Sequence, residues 1–208
     1  MKIGLIGTGA FGAFMLQHLA PHFEVLIYDP HQDTSRIASD FEHVRAASLE
    51  SFAECRLIIL SVPVQKIAAA LHALRPHLTP GTTVIDVASV KVKPVRELLS
   101  LLPDNVSIVG THPLFGPQSG KNGIAGLNLA ICPVRGTYHR VIKNFCRKTL
   151  NLNVIDTTPE CHDREMAFVM GVTHLIGRAI ARLDKPDIQQ TTKSFERIME
   201  AVDMVKDD

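Results

Sequence analysis

Three glycines near the amino terminus restrict the fold of this chain more than any other feature. Residues Ile3 to Ile6 form a short apolar run that meets Gly7-x-Gly9-x-x-Gly12 and then a helix-like segment from Ala13 to Ala20. In a strand–turn–helix of this kind the first glycine makes the tight turn. The second lets a pyrophosphate approach the backbone, and the third lets helix and strand pack closely. The helix N-terminus then offers unpaired N–H groups and the positive end of its dipole to the phosphates. A second strand-like run, Glu24 to Tyr28, ends in Asp29. That is the interval of about 20 residues at which an acidic side chain meets the adenine ribose hydroxyls. Gly7, Gly9, Ala10, Phe11, Gly12 and Asp29 are therefore the expected dinucleotide contacts. A carboxylate at Asp29 favours NAD, because it repels a 2′-phosphate; NADP is the alternative, with His31 and Arg36 close enough in sequence to soften the preference.

Strand-like and helix-like runs alternate beyond this point, the pattern of a doubly wound parallel α/β sheet of Rossmann type. A polar helix is expected near Gln32 to Phe41 and a short strand near His43 to Ala46. Arg56 to Pro63 is apolar on both faces, as buried parallel strands are, with Pro63 ending it at the ligand-facing edge. A helix over Val64 to Leu74, a strand over Thr82 to Val87 and a helix from Pro94 to Leu102 follow. Val106 to Gly110 is a further strand, and Leu127 to Cys132 and Asn153 to Ile155 are late strands around a helix from Tyr138 to Leu150. The character changes at Thr157-Thr158-Pro159-Glu160, a capping-box-like start with proline in the first turn. Long helices are expected over about Glu160 to Leu183 and Gln189 to Val205. The reading is thus a Rossmann domain over residues 1–156 and a short all-helical C-terminal domain over 157–208. Two helices cannot bury both their faces alone, so Val169, Val172, Ile176, Ile180 and Leu183 are expected at a subunit interface, most simply of a homodimer.

Composition excludes several classes. A net charge of +1 exerts no global pull on nucleic acid or anionic membrane. Apolar runs are strand-length, short of the roughly 20 residues a membrane span needs. Cys55, Cys132, Cys146 and Cys161 form no CxxC pair and no metal spacing. Reduced, mostly buried thiols in a cytoplasmic protein, with no metal, are the expectation.

Three loops converge where ligands of open α/β sheets lie, outside the carboxyl ends of the strands. They are Ser61-Val62-Pro63, Asp86 to Lys91, and Gly110 to Pro117. With the glycine loop they would ring a nicotinamide. The last carries His112, held between Gly110 and two prolines, Pro113 and Pro117. A histidine exchanges a proton near neutral pH, its ordinary pKa being about 6.5. Ser89 is read as catalytic against the alternative of a turn cap, and Lys91 as a structural or phosphate-side charge. His162, at a helix start, is read as a capping or packing residue.

These motifs together resemble the prephenate/arogenate dehydrogenase family, the NAD(P)-dependent enzymes of tyrosine biosynthesis. The resemblance covers nearly the whole chain. It is carried by Gly7-x-Gly9-x-x-Gly12, Asp86-x-x-Ser89-x-Lys91, Gly110-Thr111-His112-Pro113-x-x-Gly116, and His162-Asp163 followed by Val172-Thr173-His174-Leu175. It implies oxidative decarboxylation of prephenate or arogenate. His112 would accept the proton of the ring hydroxyl as hydride leaves the same carbon. Ser89 would orient that histidine and the nicotinamide, and His174 would face the substrate. An arginine, Arg197 or else Arg178 one turn after His174, would hold a substrate carboxylate. The chain departs from the family at His174-Leu175-Ile176-Gly177, where His-Leu-Pro-His is common, and it stops at Asp208 while members usually continue through further helices. A dehydrogenase of small hydroxy acids shares the fingerprint, but residues 160–183 hold neither the lysine nor the asparagine that such an enzyme places there. A non-catalytic NAD(H) sensor is the rival of another class.

Overall fold

The computed structural model describes residues 1–183 and 188–205, the last two by backbone alone. It divides into two compact units, Met1–His162 and Asp163–Asp208. The first begins with strand β1 (Lys2–Ile6), helix α1 (Ala10–Leu19), β2 (Glu24–Tyr28), α2 (Thr34–Ser39) and β3 (Val44–Ala46). A 3₁₀ segment, Leu49–Glu54, leads to β4 (Leu57–Leu60), α3 (Ile67–Leu74) and β5 (Thr83–Asp86). Then come α4 (Val92–Leu101), β6 (Ser107–Pro113), β7 (Asn128–Arg135), α5 (His139–Lys148) and β8 (Asn153–Asp156). Helix α6 (Pro159–Ala181) starts in the first unit and continues into the second, which also holds α7 (Lys193–Val205).

One eight-stranded sheet runs in the order β3-β2-β1-β4-β5-β6-β7-β8. The first six strands are parallel, as each is reached through a connection that crosses the sheet. The alternation along β4 shows how the core divides. Leu57 and Ile59 join the cluster beneath α1 and α5, while Ile58 and Leu60 join the one beneath α3 and α4. Both faces are covered, which is why β4 carries no polar residue.

The expected doubly wound sheet is present, with one feature the sequence reading did not contain. β6 and β7 pair antiparallel, with Thr111 opposite Ile131 and His112 opposite Ala130. Residues 114–127 supply no crossover helix, so the chain turns back beside the strand it has just left. Pairing with β7 also extends β6 past Gly110, where a loop was expected, as far as Pro113. His112 therefore sits on a strand, not in a loop.

The unit boundary falls after His162, not at residue 156. β8 does end at Asp156, but the first turn of α6 remains with the sheet, because His162 is buried there against His112. Among the described residues, no helix is long and apolar enough to cross a membrane. Cys55, Cys132 and Cys146 are buried, Cys161 is partly exposed, and none of the four forms a disulfide among the described residues. Burial pushes the Cys55 and Cys146 thiols up to about 11.

Candidate active site

The β1–α1 turn is built by close backbone contacts. Gly7 has φ +94°, and a Cβ on it would stand 2.2 Å from the Ser61 carbonyl oxygen. A Cβ on Gly12 would stand 2.1 Å from the Gly7 carbonyl oxygen. Only glycine lets α1 approach the strand ends this closely. Gly9 is the contrast: a Cβ there meets nothing within 4 Å, so the backbone opens on space at the N-terminus of α1. Among the described residues no side chain caps that terminus and its first turn is free of acidic groups. The N–H groups of the first turn thus present positive potential outward.

Gly7 and Gly9 line a cleft of about 380 Å³ together with Asp29, His31, Ser61, Val62 and Pro63. The half-buried Asp29 carboxylate is fixed on both oxygens. Oδ2 accepts from the Thr8 N–H at 2.8 Å and the Thr8 hydroxyl at 3.3 Å, and Oδ1 accepts from the His31 N–H at 2.8 Å. The end of β2 is thereby tied to the glycine loop, and the expected ribose-reading group is held at the cleft wall. A dinucleotide fits this architecture: open backbone at a helix N-terminus for the phosphates and a fixed carboxylate a strand away for the ribose.

The second part of the site stands at the carboxyl ends of β5 and β6. Asp86 and Lys91 are fully buried and form an ion pair. Lys91 Nζ also donates to the Thr111 carbonyl at 2.6 Å, while the Thr111 hydroxyl donates to the Asp86 carbonyl at 2.8 Å. The Ala88 N–H donates to Asp86 Oδ1 at 3.1 Å. Burial pushes the Asp86 carboxyl up, while Lys91, the Ala88 N–H and His162 pull it back down. This network locks the β5–α4 loop to β6 directly before His112, so Lys91 is a structural charge.

His112 is 9% exposed and His162 is 2% exposed. His112 Nδ1 lies 2.9 Å from His162 Nε2, a hydrogen bond between rings inclined at 72°. Reading His162 as a cap or packing residue missed this contact. The two residues are fifty positions apart, and no local spacing signals that β8 and the start of α6 return beside β6. Ser89 is exposed on the loop after β5 and makes no hydrogen bond among the described residues; it is His162 that meets Nδ1 of His112.

The remaining candidates lie in the second unit. His174 and Arg178 stand one turn apart on α6, and Arg197 is an exposed residue of α7. No group of three or more histidine, cysteine or acidic residues stands together as a metal site among the described residues.

A family model described as the nucleotide-binding domain of prephenate dehydrogenase matches residues 13–160. The chain belongs to the prephenate/arogenate dehydrogenase family. Among curated relatives of this family are arogenate dehydrogenases 1 and 2 of Arabidopsis thaliana, both chloroplastic and both 27% identical to it. The alignments cover 98% and 100% of this chain but 33% and 61% of those proteins. It thus spans a third to three-fifths of the curated relatives it matches first. Among solved structures, Synechocystis arogenate dehydrogenase superposes with a TM-score of 0.73 at 22% identity, covering 97% of this chain and 79% of that one. Prephenate dehydrogenase from Aquifex aeolicus, solved in complex with hydroxyphenyl propionate and NAD+, superposes at 0.70 with 20% identity over 97% of this chain and 77% of that one. At these identities the superpositions establish the shared fold.

Proposed function

We propose that the chain is an NAD-dependent dehydrogenase that oxidatively decarboxylates prephenate or arogenate, with His112 as the proton acceptor. The observation that carries the reading is a buried, hydrogen-bonded histidine at the carboxyl edge of a dinucleotide-type sheet, in a chain of this family. Bound NAD supplies the hydride acceptor. Gly7, Gly9, Ala10, Phe11 and Gly12 would hold its pyrophosphate at the N-terminus of α1, Asp29 its adenine ribose, and Ser61, Val62 and Pro63 the far side of the cleft.

His112 takes the proton from the substrate hydroxyl as hydride departs from the same carbon, and loss of carbon dioxide completes the aromatic ring. Removing that proton raises electron density at the reacting carbon, and a histidine is suited to the task at neutral pH. Ser89 faces cofactor and substrate from the loop after β5. Both proposed substrates are anions, and His174, Arg178 and Arg197 are the groups proposed to meet their carboxylates, an arginine fork being the best match in shape and charge.

The deciding experiment mixes the protein with NAD and either prephenate or arogenate and follows the near-ultraviolet absorbance of NADH. Growth of that band with one of the two substrates is expected; none with either substrate overturns the reading. Replacing NAD by NADP should weaken binding, because Asp29 repels the added phosphate. Equal affinities in a titration would show that Asp29 does not read the ribose.

A further inference from the structure

We propose that His162 is the positioning residue for His112: it accepts the Nδ1–H of His112 and so fixes the tautomer whose Nε2 acts as the base. The inference rests on the reading of His112 as proton acceptor given above. Its geometric ground is the 2.9 Å separation of His112 Nδ1 from His162 Nε2. With Nδ1 engaged by His162, a substrate proton arrives at Nε2. A neutral imidazole accepts a proton at Nε2 only when its own hydrogen is on Nδ1. The bond between the rings must then run from His112 Nδ1–H to a bare His162 Nε2, which places the hydrogen of His162 on its Nδ1. The reverse arrangement, with His162 donating, would put the hydrogen of His112 on Nε2 and leave it no capacity as a base there.

Burial makes the choice a lasting one. His162 is only 2% exposed, so water does not exchange for it as a partner of His112. The partner also serves after the proton has moved. An imidazolium at His112 donates through Nδ1 more strongly than the neutral ring, since charge-assisted hydrogen bonds are the stronger class. On the β5 side of the pair stands the Asp86–Lys91 ion pair, whose carboxylate feels His162 electrostatically. Their roles differ: Asp86 and Lys91 hold the backbone at Thr111, and His162 holds the ring that follows it. An orienting partner that fixes which ring nitrogen carries the proton is a known device for catalytic histidines.

The test uses the full chain labelled with ¹⁵N at its histidine rings, with the His112 signals identified by their loss in His112→Asn. The expected wild-type pattern is a protonated Nδ1 and a bare Nε2 on His112. In His162→Leu, which cannot accept a hydrogen bond, the population with the hydrogen on Nε2 should grow and kcat should fall by about ten-fold or more, ten- to a hundred-fold being the effect of losing the hydrogen-bond partner of a metal-bound histidine. NAD affinity, which does not depend on this pair, should hold and reports that the variant is folded. His162→Gln offers a carbonyl oxygen as acceptor and should recover most of the lost kcat and the wild-type tautomer. A wild-type His112 with its hydrogen on Nε2 overturns the proposal, as does a His162→Leu variant with unchanged tautomer and kcat. If wild type turns over neither substrate, the proposed function fails, and the ring-nitrogen spectra alone decide the positioning claim.

Discussion

His112 and Lys91 are neighbours in the fold with opposite duties, and substitution separates them. His112→Asn keeps a similar size and one hydrogen-bonding group but takes up no proton at neutral pH. Turnover should fall roughly 10²–10⁴-fold, the usual contribution of a general base, while NAD binding measured by titration stays near wild type. A variant retaining more than about a tenth of wild-type kcat, less than the smallest such loss, would remove His112 from the proposed chemistry. Lys91→Met acts on the frame instead. It leaves the Asp86 carboxylate fully buried without its cation, and chemical denaturation should register a loss of about 3–5 kcal/mol. Replacing Asp86 by leucine in the same chain should recover a large part of that loss, because the uncompensated charge is then gone too. Recovery would separate the cost of a stranded charge from the cost of lost packing.

Among the elements, the β1–α1 turn is the most legible from sequence and the most demanding of it. Its requirement is written in one residue type at three fixed positions, so the turn, the cleft and the place of Asp29 follow from the chain alone. Gly12→Ala should cost about 1–3 kcal/mol, the common range for a strained backbone contact, since its Cβ must displace the Gly7 carbonyl. It should also weaken NAD binding, because α1 is pushed away from the strand ends. Wild-type melting and affinity in Gly12→Ala would show that the contact relaxes freely. β6 and β7 lie at the other extreme. Leu129 to Cys132 on β7 are buried and apolar like the residues of the parallel strands, and nothing in them states the direction of the strand. Direction comes from the connection, and the sequence reading covers only its start, as the loop Gly110 to Pro117 that presents His112. The contact between His112 and His162 depends on that reversal and on the return of β8, so it was beyond the reach of local pattern.

For the whole molecule, an extended apolar surface stands exposed on α6. Phe168 and Leu175 are 74% and 70% exposed, Val169, Val172 and Ile176 are exposed beside them at intervals of three and four residues, and Leu183, 65% exposed, follows just beyond the helix. A stripe of this kind is larger than isolated surface residues explain. We expect a second copy of the chain to cover it, in a symmetric pair that sets the same stripe against itself. Light scattering should give twice the chain mass, and Val172→Glu with Ile176→Glu should return it to one. A single-chain mass for the wild type at micromolar concentration removes this expectation.

The reversal at β7 also bears on how the sheet can assemble. Joining β1 to β4 closes a loop from Ile3 to Leu57, whereas β6 meets β7 across residues 114–127 alone. The entropy of closure rises with the length of chain enclosed, and pairings between near segments form sooner. β6 and β7 are therefore the strands able to pair first, before any crossover helix has packed. Pulse-labelled hydrogen exchange during refolding should find the amides of Val109 to His112 and of β7 protected ahead of those that join β1 to β4. The strand that carries His112 would then be among the first pieces of the sheet to settle, ahead of the long-range joining of β1 to β4 that the cofactor cleft requires.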